Sequence, residues 1–216
     1  MGARLAADER ERTKGAGTSW RRAPARYSPR MIPPREVLPG GVVLRLVSPD
    51  DAEALHRAYL ANREYLAPWE PRRPDDFFTV GGQAERIAER LKEFAEGRGV
   101  PWVFEDDGAV VGTITLSGLV LGPFRSASLG YWVAADRRGR GLAGAGVTRV
   151  CAAASDLFGL HRVEAGTLLD NTASQRVLAK SGFESIGVAP RYLHINGQWR
   201  DHRLFQRILH DGPPGD

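Results

Sequence analysis

The stretch Leu129-Gly-Tyr-Trp-Val133-Ala-Ala-Asp-Arg-Arg-Gly139-Arg-Gly141-Leu-Ala-Gly144 constrains this chain more than any other. It reads as a strand that runs into a short glycine-rich turn and straight on into a helix. Gly139 and Gly141 let the backbone bend so that successive N–H groups converge, with no side chain in the way. The helix that starts at Leu142 and Ala143 adds the positive end of its dipole. Arg137, Arg138 and Arg140 supply charge suited to phosphate oxygens. Residues 136–146 therefore read as a cradle for a phosphate-bearing anion, the alternative being a glycine-rich turn that merely starts a helix.

Two other glycine-rich phosphate binders fit poorly. No Gly-Lys-Ser/Thr follows the glycines, which excludes a P-loop. The dinucleotide fingerprint opens a parallel βαβ unit, whereas this turn lies mid-chain behind a hairpin. The hairpin is Val100–Glu105 and Ala109–Leu119 around Asp106-Asp107-Gly108, with Ser126–Val133 as its third strand.

Upstream, Val42–Val47 alternates as a strand. Ser48-Pro49-Asp50-Asp51 caps a helix expected to run through Ala54, Leu55, Ala58 and Tyr59 to about Leu66-Ala67-Pro68. A second helix is predicted over Gln83–Glu96, with Ile87, Leu91, Phe94 and Ala95 on one apolar face. Downstream come a helix at Leu142–Phe158, a strand at Arg162–Leu169, and a short helix at Thr172–Ser181 closed by Gly182. Strands Phe183–Ile195 and Gln198–Leu209 flank Asn196-Gly197, a type I′ hairpin signal. The order βααβββαβαββ predicts an α/β fold around a single mixed, mostly antiparallel sheet flanked by helices.

Composition narrows the setting. The 216 residues, 42% hydrophobic and 26% charged, suit one domain plus a tail. No apolar run approaches the ~20 residues of a membrane span and no signal peptide is evident, so a cytoplasmic protein without membrane partners is expected. The lone Cys151 rules out a disulfide framework and a cysteine-based metal site, no metal is expected, and Cys151 reads as a small core residue. Residues 1–30 hold eight Lys/Arg against three Asp/Glu, a net +5 that exceeds the chain's +4, so residues 31–216 sum to −1. Residues 1–36 lack apolar periodicity and are expected to be a disordered basic tail. It is an inert extension, a start placed upstream of Met31, or an arm for nucleic acid using Arg21-Arg22 beside Trp20. The domain is expected over residues 37–210, with a flexible end at 211–216.

A second segment pairs with the cradle: Asn171-Thr-Ala-Ser174-Gln-Arg-Val177-Leu178-Ala-Lys180-Ser-Gly182-Phe183. Together the two resemble the GNAT superfamily of N-acetyltransferases, with Arg138-Gly139-Arg140-Gly141 as its pyrophosphate loop and Gly182-Phe183 as its glycine-aromatic step into the next strand. Asn62-Arg-Glu-Tyr65-Leu-Ala-Pro-Trp69-Glu70-Pro71 and Tyr192-Leu-His-Ile-Asn-Gly-Gln-Trp-Arg-Asp201-His202 are similar to RimJ/RimL-type ribosomal-protein N-terminal acetyltransferases, nearer the RimJ side. The resemblance spans about Val42–Leu209. It departs at Asp136, where the superfamily loop begins with Gln or Arg, so Asp136 is not a phosphate ligand.

The resemblance implies a GNAT fold, acetyl-coenzyme A as co-substrate, and direct attack by an amine on the acetyl thioester. It implies that the backbone of Tyr131, Trp132 and Val133 holds the pantetheine arm. Arg138, Gly139, Arg140, Gly141, Leu142 and Ala143 would hold the pyrophosphate, and Asn171 the pantetheine or phosphate region. Ser174 corresponds to the residue thought to protonate the sulfur; a plain helix-surface hydroxyl is the alternative. Asn171 also reads as an ordinary N-cap, a role compatible with binding. RimL-type enzymes carry a glutamate where this chain has Leu193, so no base carries over; Glu70 is the best candidate, ahead of Glu105 and Asp201. Of the aromatic residues, which are more often core than site, Trp69 and Tyr192 are expected to line an acceptor groove. His194 and His202 read as structural or surface residues, not catalytic ones. The acceptor implied is the α-amine of a protein N-terminus, ribosomal protein S5 with its N-terminal alanine being the namesake; a small amine or lysine acceptor and a non-catalytic ribosome or nucleic-acid binder are the rivals. An α-amine, with a reference pKa of about 7.7–8 against about 10.4 for lysine, is partly neutral near pH 7 without a strong base.

Overall fold

Helix caps and apolar spacing account for most element boundaries in the computed structural model, which describes residues 33 and 35–213. The basic stretch up to residue 32, with Trp20-Arg21-Arg22 and Met31, lies outside the described residues, as do residues 214–216. Glu36, expected in the tail, instead begins strand β1 (Glu36–Val37), which pairs antiparallel with β2 (Val43–Leu46).

Ser48 caps the next helix as its sequence predicts: its hydroxyl accepts from Asp50 N at 3.3 Å, and Asp51 accepts from Ser48 N at 2.7 Å. Asp51 also takes both Nη atoms of Arg45, each at 2.7 Å, while Arg45 Nε reaches Glu105. Burial by itself would push the Asp51 carboxyl up, but the Arg45 and Ser48 hydrogen bonds hold it below the usual range. This ion-paired knot fastens the first helical turn to strands two and three.

Helix α1 (Ala52–Ala61) buries Ala52, Leu55, Ala58 and Tyr59, a helical stripe. It does not continue unbroken to Leu66 as expected. Asn62 leaves helical geometry at φ −109° and ψ 11°, and a separate turn, α2 (Arg63–Leu66), follows. The break has a side-chain cause: buried Asn62 donates to Ala58 O at 2.9 Å and accepts from Ala135 N at 2.9 Å. Helix α3 (Val80–Ala95) starts three residues earlier than predicted, because Thr79 Oγ1 caps it by accepting from Gly82 N at 3.0 Å.

The remaining elements fall within a few residues of expectation: β3 (Gly99–Asp106), β4 (Ala109–Val120), β5 (Ser126–Val133), α4 (Leu142–Asp156), β6 (Arg162–Leu168), α5 (Thr172–Lys180), β7 (Glu184–Ile195) and β8 (Gln198–Ile208). They form one eight-stranded sheet in the order β1-β2-β3-β4-β5-β6-β8-β7, in which only β5 and β6 run parallel. The predicted mixed, mostly antiparallel sheet is therefore observed, with β1 and the break at Asn62 as additions. Positive φ at Asn196 (46°) and Gly197 (84°) matches the type I′ signal between β7 and β8.

Helices cover both faces of the sheet. Tyr131 and Trp132 are neighbours on β5 and so point to opposite faces. Trp132 Nε1 donates to Tyr59 of α1 at 3.0 Å, whereas Tyr131 meets α5. On the α4 face, Phe104 is fully buried against Gly146, where an added Cβ would come within 2.4 Å of its ring. That contact sets how closely α4 lies on the sheet and thereby fixes the position of its N-terminus. Cys151 is buried in α4 as a core residue, and burial pushes its thiol up to about 11.

Candidate active site

The site begins where two strands part. β5 pairs with β6 only over Ser126–Ser128, opposite Arg162–Glu164. Beyond that point β5 keeps β4 as its neighbour to Val133, and β6 keeps β8 to Leu168. The β6-facing backbone edge of Leu129–Val133 is thus left without a strand partner, at the end of the sheet that meets the glycine-rich turn. Of the three residues expected here, Trp132 has its side chain buried at 8% exposure toward α1, so only its backbone faces the gap.

The turn itself is built to expose N–H groups. Gly139 (φ 73°) and Gly141 (φ 75°) are both left-handed, with nothing within 4 Å of a would-be Cβ. The first helical hydrogen bond of α4 runs from Ala145 N to Gly141 O at 3.0 Å. Ahead of it, the backbone N–H groups of residues 139–144 have no acceptor among the described residues. Six consecutive free donors at a helix start, without a capping side chain, are the arrangement that an anion satisfies. Leu142 contributes only its N–H, its side chain being buried, and Ala143 is half-buried.

The arginines divide. Arg137 is occupied by Asp106 at 2.9 Å and Asp136 at 3.0 Å, which also accounts for Asp136. Arg138 donates to Ala135 O at 2.9 Å and lies 5.0 Å from the Tyr65 ring centroid, beside the cradle. Arg140 is exposed and makes no ion pair among the described residues. A pyrophosphate therefore fits the backbone first, with Arg140 the freest cation beside it.

At the start of α5, Asn171 Oδ1 accepts from Ser174 N at 3.1 Å, so the N-cap reading holds. Its amide nitrogen has no hydrogen bond among the described residues and remains available as a donor. Ser174 Oγ shares a 2.8 Å hydrogen bond with Tyr131 Oη. Burial pushes the Tyr131 phenol up to about 12, with the Ser174 hydrogen bond offsetting only part of that. The pair therefore stays protonated through neutral pH and can only donate or relay a proton, not act as a base.

Glu70 lies elsewhere, in a cavity of about 270 Å³ between the α1–α2 end and the tip of the β7–β8 hairpin. Tyr59, Leu66, Phe77 and Phe78 give it apolar walls. Asn196 N donates to Glu70 O at 3.0 Å, tying the hairpin tip down. Burial raises the Glu70 carboxyl above its ordinary range, and Arg73 and Arg90 counter that only in part. Trp69 is half-buried next to this cavity but does not line it. Tyr192 is 47% exposed and sits over β6 and β8, its ring 5.5 Å from that of His202. The other base candidates are engaged: Glu105 by Arg45, and Asp201 by Arg191 N at 2.8 Å. His202 is buried and bonded to Arg200 O at 3.0 Å, a structural role.

A profile of the acetyltransferase (GNAT) domain matches residues 42–184, from β2 through the start of β7. The chain belongs to the GNAT acetyltransferase family. It is 34% identical over 178 residues to the [ribosomal protein uS5]-alanine N-acetyltransferase of Escherichia coli (strain K12), covering 81% of this chain and 91% of that one. Mycobacterium smegmatis RimJ, solved in complex with CoA-disulfide, superposes with a TM-score of 0.76 at 38% identity, over 81% of this chain and 85% of that one. The ribosomal-protein-S5-alanine acetyltransferase structure from Vibrio fischeri gives 0.77 at 31%, over 80% and 96%. The GNAT fold expected from sequence is thereby established, the chain is an N-acetyltransferase, and its close homologues are of RimJ type.

Against that GNAT frame, sequence reasoning missed two side chains. Asn62 looked like mid-helix sequence, yet it fixes Ala135 N at the mouth of the cradle. Sequence reasoning gives Tyr131 a backbone role and counts its ring only among aromatics more often core than site, although strand alternation with Trp132 already places one of the two rings on the α5 face. The resemblance at Asn62–Pro71 marks the segment but not this role of Asn62, whose partner lies 73 residues away.

Proposed function

We propose that this GNAT enzyme transfers the acetyl group of acetyl-coenzyme A to the α-amine of a protein N-terminus. An N-terminal alanine of ribosomal protein S5 is the specific acceptor that its relatives' activities point to. The observation that carries the donor side is the run of unsatisfied N–H groups at residues 139–144, set at the end of the β5–β6 gap. Bound acetyl-coenzyme A supplies an acetyl thioester, and transfer needs one proton taken from the amine and one given to the departing sulfur.

The chain's own residues divide that work. Gly139, Gly141, Leu142 and Ala143 present backbone N–H groups, and Arg138 and Arg140 flank them, to bind the pyrophosphate. The open backbone edge of Tyr131, Trp132 and Val133 hydrogen-bonds the pantetheine amides, joined by the free amide nitrogen of Asn171. Ser174 is the general acid. When Tyr131 Oη donates to Ser174 Oγ, the serine's own proton is directed away from the tyrosine and can be passed on. Glu70 takes the amine proton; burial raises its carboxyl and so makes it a stronger base than an exposed glutamate. Tyr192 borders the acceptor path, with Trp69 just outside the Glu70 cavity, and residues 36–210 make up the catalytic domain.

Intact-mass analysis of Ala-initial peptides incubated with acetyl-coenzyme A tests the proposal. A single acetyl added at the α-amine is expected. Turnover of polyamines or aminoglycosides with none on such peptides would overturn it in favour of a small-amine acceptor.

A further inference from the structure

The Glu70 cavity holds more positive charge than proton transfer needs. Arg63, Arg72 and Arg73 line it with Glu70 as the only carboxylate among the lining residues. Arg86 lies 4.6 Å from the centroid of the Phe77 wall, and Arg90 stands near enough to act on Glu70. Only part of this charge is cancelled. Arg63 meets Asp75, whose side chain is 94% exposed and therefore screened. Arg73 Nε is ion-paired with Glu70 Oε2 at 3.5 Å, so those two charges offset each other. Arg72 and Arg86 have no carboxylate partner among the described residues.

A positive, partly apolar pocket has two consequences for an amine. Low local dielectric strengthens each charge–charge interaction. The ammonium form is repelled, so the neutral, nucleophilic amine is favoured where it is needed. Negative groups carried close behind the amine are attracted. We infer that the cavity selects N-terminal segments with acidic side chains in the residues immediately following the free amine. The inference rests on the protein N-terminus proposed above as acceptor. An extended segment rather than a small anion is favoured by the lining, because Asn196 at the tip of the β7–β8 hairpin borders the cavity and Trp199 on the same hairpin is 64% exposed.

The test compares three peptides that share an N-terminal alanine and differ at positions two to four, carrying glutamate, glutamine or lysine. A phosphorylated small amine, phosphoethanolamine, is the fourth acceptor. At low salt the glutamate peptide should exceed its glutamine twin by roughly ten-fold in kcat/KM, with the lysine peptide lowest, and added salt should shrink the ratio. Arg72→Gln and Arg86→Gln should each reduce the glutamate-to-glutamine ratio, an internal comparison that does not depend on how much enzyme is folded. Equal rates on all three peptides, or a lysine preference, would overturn the inference while leaving N-terminal acetylation intact. Failure on every peptide, or turnover of phosphoethanolamine instead, would overturn both.

Discussion

Replacing Gly141 by alanine separates the cradle's backbone role from its role in the fold. Gly141 sits at φ 75° and ψ 1° as the residue before α4, and a Cβ added there meets nothing within 4 Å. The cost to folding is therefore conformational only, about 1 kcal/mol for one left-handed alanine. For a chain of this size that lowers Tm by about 2–4 °C. The cost to binding is larger. The methyl group projects from the segment whose N–H groups are free, and misaiming a single hydrogen bond to a charged phosphate loses about 1.5–3 kcal/mol. Coenzyme A should then bind about ten- to hundred-fold more weakly by calorimetry. Gly146→Ala is the reciprocal control. Its Cβ would stand 2.4 Å from the Phe104 ring, so overpacking should cost about 1–3 kcal/mol of stability. Its coenzyme A affinity should fall less than that of Gly141→Ala, any loss following from a shifted α4 N-terminus rather than from a misaimed donor. A Gly141→Ala protein with the small Tm loss but unchanged affinity for coenzyme A would refute the backbone cradle.

Three further outcomes are expected. Ser174→Ala should lose kcat heavily with little change in coenzyme A affinity; Tyr131→Phe should lose less, and steady-state kinetics of the double variant should show non-additive losses because the two hydroxyls act as a unit. Asn62→Ala strands Ala135 N–H and should cost about 1–3 kcal/mol in a denaturant titration, together with weaker coenzyme A binding, since it loosens the turn that leads into the cradle. Glu70 has a folded pKa raised above its unfolded value, so the folded state holds the extra proton and stability falls as pH rises through that window. Glu70→Gln should accordingly match the parent in Tm under acid conditions and gain on it towards neutral pH, while kcat/KM loses its rise with pH.

The donor half of the site was legible because its chemistry lives in the backbone. Gly139 and Gly141 announce left-handed turns, Asn171 announces a cap, and Gly182 announces a helix end; each is a local rule that acts within four residues. The acceptor half was legible only as a neighbourhood. Glu70 was placed by resemblance, but the arginines around it come from three separate segments of chain, at 63, 72–73 and 86–90, and no local pattern links them. Trp69, next to Glu70 in sequence, proved to lie outside the cavity because neighbouring residues in an irregular turn need not face the same way.

Asn62 is where the two halves meet. Its amide nitrogen donates to Ala58 O in the last turn of α1, and its carbonyl oxygen receives Ala135 N, two residues past β5. One residue therefore both creates the break that turns the chain toward the Glu70 cavity and anchors the start of the turn that leads to Gly139. Asparagine can fill both roles at once, whereas aspartate offers no donor to Ala58 and leucine offers neither group. The helix break that a propensity argument does not predict is thus the means by which the acceptor side is held in register with the donor side.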